Sequence, residues 1–433
     1  MPHRSRRALL GLLGAGAASL LGGCQIGSQT GTPSERSTST ASSAATARVT
    51  GPGTEKSSEV DCDTASRPGT AWPVPRRSPA RDSYVADPEG FDDAPAVAWG
   101  AEPTAPDDSY ATPLYGQPVG DSDDIYLTNQ LDKGPERPMY GHVHAVDAES
   151  SDRRWASRQF RSPSHPVVWG NLAVVFAETE DRNALVVTFD RTDGTRRWTR
   201  EFTAQSSGFI AGDDRLYLAL EESSDRGTIR ALTDDGSTAW SRAAAFGHHV
   251  TEGPVVGADV VYIATREGRL HALDRSDGTT VWTSRFQHPE ERRPFVTDLI
   301  ATDCSAVTVV EGVVKAVDDG GSLRWELGGD HGQMATDGTT IYVGADLGDG
   351  TRELQAVDAE TGEVRWTVGR TVASYEPPVV TADTVFVRFN ESIRALDKTD
   401  GTERWRTDAA IDRLALVDGT LYGIDGGTLL ALR

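Results

Sequence analysis

One eleven-residue outline recurs along the chain and constrains the fold more than any other feature. It reads AVDAETGEVRW from Ala356, ALDRSDGTTVW from Ala272, ALDKTDGTERW from Ala395 and TFDRTDGTRRW from Thr188. Looser copies start at Ala145, Ala231 and Ala316. The copies end on Trp155, Trp198, Trp240, Trp282, Trp325, Trp366 and Trp405, spaced 43, 42, 42, 43, 41 and 39 residues apart. A period near 42 is too long for one hairpin and too short for a domain. A unit of that length cannot bury its own apolar face, so the copies must stack on one another.

The interior of the period says how. Between Glu252 and Phe286 the runs PVV, VVYIAT, RLHALD and TTVWTSR are separated by GAD, REG and RSDG. The middle runs alternate with period two, as half-buried strands do, and the separators carry the Gly and Asp of hairpin turns. No stretch has a long helical period. Four short strands per 42 residues are one blade of a β-propeller. The segments that read as third strands number eight, and the last ends at Arg433 with no fourth strand and no tryptophan. Trp99, in PAVAWGAE, lies upstream and can supply that outer strand. The expectation is an all-β, eight-bladed propeller of four-stranded blades, closed by an N-terminal strand around Trp99. A seven-bladed ring with Trp99 in a loop is the alternative. Trp99 and Trp155 are 56 residues apart, so the first blade carries about 14 extra residues, placed in NQLDKGPERPMYG.

The repeated side chains then acquire roles. The Asp caps the turn between third and fourth strands, and the Gly takes a positive φ there. The first copy, DAESSD, has no glycine, which predicts a looser turn. Each tryptophan, Trp99 included, is expected to dock in the groove between neighbouring blades. There a buried ring contributes about 2–3 kcal/mol.

This pattern, repeated in register, resembles the tryptophan-docking motif of pyrroloquinoline-quinone-like propeller repeats. WPVPRRSPARDSYV, from Trp72, resembles the segment that precedes the propeller in that family. The likeness covers residues 72–433 and implies one of two functions. One branch is the quinone-dependent alcohol dehydrogenases, which hold pyrroloquinoline quinone with calcium under a vicinal disulfide. The other is the eight-bladed lipoprotein of the bacterial outer-membrane assembly machine, a scaffold without a cofactor. The chain has no adjacent cysteines.

The first residues read as a targeting segment. MPHRSRRALLGLLGAGAASLLGGC has the paired Arg6 and Arg7, an apolar run and then Leu21–Cys24, LGGC. This resembles a twin-arginine signal with a lipobox, in which Cys24 is lipidated. The organisation expected is a signal over 1–24, a Ser/Thr/Gly-rich tether over 25–70 and the propeller over 71–433. The tether has too few apolar side chains to offset its ordering entropy. Cys62 and Cys304 remain, and a disulfide and two separate thiols are both consistent with the sequence. Asn390 heads a glycosylation sequon, NES.

The formal net charge is −22, which makes nucleic acid and anionic lipid surfaces poor partners. Lysine occurs only at Lys56, Lys133, Lys315 and Lys398, the balance of a halophile or of an arginine-rich GC-biased genome. No GxSxG, HExxH or P-loop pattern is present. No catalytic residue or metal ligand set can be named, and no cofactor is expected outside the quinone branch. The histidines are distributed unevenly. His165, His248, His249, His288 and His331 fall in links between blades, together with Arg292, Arg293 and Tyr375. Such links share one face of a propeller, which makes that face the candidate ligand surface; irregular links also collect these residues as solvated groups. The reading is an exported scaffold. A lipid anchors it at the extracellular face of the cytoplasmic membrane, where it binds a protein or surface ligand.

Overall fold

The computed structural model describes residues 71, 74–78, 80–86, 91–102, 114–130, 139–223, 226–243, 250–265, 267–287, 294–302, 305–369, 376–389, 392–409 and 411–433. All of them belong to one compact unit spanning 55–433. The signal, the tether, Cys24, Cys62, Cys304, His248, His249, His288, Arg292, Arg293, Tyr375 and Asn390 lie outside the described residues.

Eight antiparallel sheets follow one another along the chain. Blades 1 to 7 span 114–156, 167–202, 205–243, 250–285, 296–327, 330–368 and 379–407. Blade 8 takes three strands from 412–432 and its outermost from Val97–Ala101, so the ring closes where Val97–Ala101 pairs with Thr428–Leu432. We letter the strands A to D from the axis outward; the A strands of neighbouring blades touch. Within the described residues there is no helix. The extra residues of blade 1 lie between its B strand, Asp124–Asn129, and its C strand, Val143–Asp147. Tyr140 and Gly141, at the end of this insertion, pair with Phe160 and Arg161, which join the sheet of blade 2.

One lateral row repeats through the blades. Tyr126, Ala145 and Trp155 sit side by side on strands B, C and D of blade 1. The same row is Tyr217, Ala231 and Trp240 in blade 3, and Tyr342, Ala356 and Trp366 in blade 6. The alanine is small because two rings meet over it, their centroids 5.9 to 6.0 Å apart. A bulge follows the alanine on the D side and turns the tryptophan toward the next blade.

Candidate functional site

Five junctions between blades are built by the same clasp. The indole N–H of Trp155 donates to the carbonyl of Arg191, the residue after the capping Asp190 of blade 2, at 2.8 Å. Trp198, Trp240, Trp325 and Trp366 donate likewise to Asp234, Arg275, Ala359 and Lys398, at 2.7 to 3.0 Å. The turn glycine has two duties. Gly194 has φ 71°, and a Cβ on it would stand 2.6 Å from the Trp155 ring. Gly321 leaves the same space for Trp282. The cap is also as expected: the Asp358 carboxylate accepts the backbone N–H groups of Glu360 and Thr361. With the Arg365 guanidinium first, these hold its pKa down to about 2.

Three expectations change. The turn of the first copy is not looser. Ser151 adopts the left-handed conformation itself, φ 67°, and donates to the Asp147 carbonyl as the glycines do at the other turns. The docking rings are not uniformly buried. Trp155, Trp240 and Trp405 are, but Trp99, Trp198, Trp282, Trp325 and Trp366 are half-buried. His331 is not in a link. It lies on the A strand of blade 6, 5% exposed, with Nδ1 2.7 Å from the Gly312 carbonyl and Nε2 3.3 Å from Gln355. That is a satisfied core histidine.

The last junction has no turn to dock on, because blade 8 ends at its C strand. There the Trp405 N–H donates to the carbonyl of Phe91, 2.7 Å away, from the segment leading into the closing strand. Trp99 completes the circle by donating to Ala148 of blade 1 at 3.3 Å.

The axis of the ring is occupied by the chain itself. Residues 74–78 and 80–85 run along the A strands of several blades. Arg76 is buried and pairs with Asp298 of blade 5 at 2.5 Å; it also donates to the Met334 carbonyl of blade 6. Its own backbone N–H donates to Gln117 of blade 1, 2.6 Å away. Asp298 has no exposed surface, and its second oxygen accepts the Met334 N–H at 2.7 Å. Further along, Ala80 and Asp82 accept from Ala301 and Thr336, and Ser83 and Val85 bond Val380 of blade 7. Arg76 and Asp298 were not singled out from sequence. The signals were a charge inside the apolar run FVTDLIA and a pair of arginines between prolines.

On the face that carries the interblade links, a cleft of about 460 Å³ opens beside this plug. His165 lines it with Arg76, Arg81, Arg182, Phe176 and Phe209. The His165 ring stacks on Phe209 at 6.0 Å. Burial, and then the charges of Arg81 and Arg413, lower its pKa to about 4, so it is neutral at pH 7. His331 lines a separate cavity of about 50 Å³ with Asp330 and Glu376. The structure therefore does not bring these two histidines together. Among the described residues no group of three or more His, Cys, Asp or Glu is arranged to hold a metal.

The family model that matches the chain is described as outer membrane protein assembly factor BamB, and it covers residues 96–222, 225–301 and 310–433. The outer membrane protein assembly factor BamB of Yersinia pestis is 27% identical over 264 residues, 54% of this chain. The match spans 64% of that relative, less than two thirds of its length. Among solved structures, BamB from Moraxella catarrhalis aligns with a TM-score of 0.50 at 18% identity, over 71% of this chain and 98% of its own. A quinohemoprotein alcohol dehydrogenase from Pseudomonas putida aligns with a TM-score of 0.60 at 12% identity, over 84% and 80%. Both structural likenesses are likenesses of fold.

Proposed function

The chain belongs to the PQQ-like propeller family of the outer membrane protein assembly factor BamB, and from that premise we propose that it is a protein-binding scaffold without a redox cofactor. The observation that carries this reading is the plug. An axis filled by the buried Arg76–Asp298 pair leaves the faces and junctions of the ring as the surfaces open to a partner. The quinone branch requires a vicinal disulfide and calcium ligands. The chain has no adjacent cysteines, and the described residues bring no metal-binding cluster together. Both observations support the reading without pyrroloquinoline quinone.

The link-face cleft at His165 and Phe209 is the first place to look for a partner segment. A photo-crosslinking residue in place of Arg182 should capture one discrete protein in cells. The same substitution on an outer strand, at Arg285, should not. Adduct from both positions, or from neither, would reject this face as the docking surface. Dye-linked alcohol oxidation after adding the quinone with calcium would reject the scaffold reading.

The proposal includes a lipid on Cys24 that holds the protein at the extracellular face of the cytoplasmic membrane. Cys24→Ser should release the mature protein into the medium. Retention in the membrane fraction would mean a different anchor.

A further inference from the structure

The C strand of blade 1 carries the only His-x-His of the chain, His142-Val143-His144. Period two places both imidazoles on one face of the strand. Ala145 and Trp155 face blade 2, where the indole docks, so the two histidines face the other way. Their ring centroids are 6.1 Å apart. Neither residue has any exposed surface. Leu127 and Ala156 flank His144 on strands B and D, and neither ring nitrogen of His144 has a hydrogen-bond partner. A neutral imidazole carries one N–H and one lone pair, and such a ring, wholly buried, calls for a partner.

Blade 4 shows how the same position is satisfied where it is only structural. His271 also directly precedes the alanine of the lateral row, Ala272, and it lies across from Thr283 as His144 lies across from Ala156. Its Nδ1 is 2.9 Å from the Thr283 hydroxyl. Blade 1 lacks that hydroxyl, and two residues before His144 it has His142 where blade 4 has Arg269. One exchange takes the hydrogen-bond partner from the ring, and the other puts a second imidazole beside it. The second ring does not replace the hydroxyl, because no hydrogen bond joins the two imidazoles.

We propose that His142 and His144 bind one soft monovalent cation, copper(I) in chemical class, each through one ring nitrogen. Two metal–nitrogen bonds of about 2 Å, with the ring radii added, span about 6 Å, which is the separation of the pair. Burial first, then His142 and Arg153, lowers the His144 pKa to about 3, so at pH 7 the ring is neutral and can act as a ligand. The number of ligands selects the ion. Structural zinc takes four, and among the described residues no third His, Cys, Asp or Glu joins the pair. A filled-shell monovalent ion is satisfied by two, and imidazole suits copper. A single charge also costs less to bury than a double one and meets less repulsion from Arg153. The site does not depend on the scaffold reading.

The probe is copper(I) itself, buffered anaerobically by a colorimetric chelator and incubated with the full chain after its thiols have been alkylated. The chain should retain one ion through desalting, and X-ray absorption should show two nitrogen neighbours at about 2 Å. His142→Leu and His144→Leu should each weaken copper(I) by about a hundredfold or more. Ala156→Thr gives His144 the hydroxyl that His271 has, in a residue suited to a strand, and should weaken copper(I) about tenfold. Replacing His248 and His249, the chain's adjacent pair, by alanine should change affinity less than about twofold. Zinc at equal concentration should not displace copper(I). If the leucine variants lose their near-UV circular dichroism, Ala156→Thr and the absorption spectrum decide. Unchanged affinity in Ala156→Thr, a sulfur neighbour, displacement by zinc, or a loss confined to the His248 and His249 variant would each overturn the proposal, as would a chain that retains no copper(I).

Discussion

Ring closure depends on a clasp that differs from the others, and replacing its tryptophan tests the docking scheme most directly. Trp405 is 8% exposed and packs edge-on against Phe91 and tilted against Phe386, with centroids 6.0 and 5.7 Å away. A buried indole removes about 200 Å² from water, which at about 25 cal/mol per Å² is about 5 kcal/mol before the remaining methyl group is discounted. Its hydrogen bond to Phe91 adds about 1 kcal/mol. Trp405→Ala should therefore cost about 4–5 kcal/mol. Trp366 makes the same kind of bond, to Lys398, but is half-buried; Trp366→Ala should cost about 2–3 kcal/mol. Arg365 is 43% exposed and pairs with Asp358, so Arg365→Ala should cost less than about 1 kcal/mol. Denaturant unfolding gives the order. Limited proteolysis gives the location, because only the Trp405 variant should become cleavable between 86 and 102. Equal costs for the two tryptophans, or protection of that segment in the Trp405 variant, would refute the idea that the N-terminal segment replaces the missing turn.

Three further outcomes follow from the same geometry. Asp298→Asn leaves the buried Arg76 without its counter-charge and should cost about 3–5 kcal/mol in unfolding free energy; a loss below 1 would mean that water reaches the axis. Ser151→Gly removes the strain of a left-handed serine and should raise stability by about 0.5–1 kcal/mol, read as a shift in midpoint. Acid should destabilise the fold in two stages. Burial, then His142 and Arg153, lowers the His144 pKa from 6.5 to about 3, and burial first lowers His165 to about 4. The unfolded chain takes up those protons more readily, so stability is complete above about pH 6.5 and falls as pH drops toward the folded values. Below about pH 3.8 the depressed Asp358 adds to the loss. His144→Leu should flatten the limb between pH 6.5 and 4, and an unchanged limb would show that His144 does not govern it.

The blade count, the four strands per blade, the closing strand at Trp99 and the insertion in blade 1 were all legible in the sequence. Each rests on a pattern sampled several times. Period-two alternation and a turn glycine repeated in register outweigh any single irregular copy. What remained illegible was present once. Ser151 takes a glycine's conformation because the flanking Asp147 and its hydrogen bonds dictate the turn, and the residue accommodates them. His331 looked like a link residue because strand A of its blade starts earlier, at Asp330, than apolar alternation indicates. The plug pairs Arg76 with a residue 222 positions away, and no local pattern encodes such a contact.

A propeller made from one repeated clasp can specialise only where the clasp is altered, and the residue after the turn cap varies around this ring: Arg191, Asp234, Arg275, Asp319, Ala359 and Lys398. At blades 7 and 8 the outer strand is Val97–Ala101 and is not reached through a turn from the third strand, and Phe91 substitutes for that turn; the alteration holds the ring shut. At blades 5 and 6 the ring position is Val307 and the following residue is Ala359, so the clasp is thinner but introduces no charge. At blades 2 and 3 the ring is lost and the cation is replaced by an acid, in a junction whose neighbours on both sides keep Arg191 and Arg275. Where Arg191, Arg275 or Lys398 is present it pairs with Asp121, Asp214 or Asp337 of the preceding blade; where the residue is Asp234, Asp319 or Ala359 the indole hydrogen bond or the turn glycine is kept without the ion pair, so the backbone clasp is the part the ring does not give up.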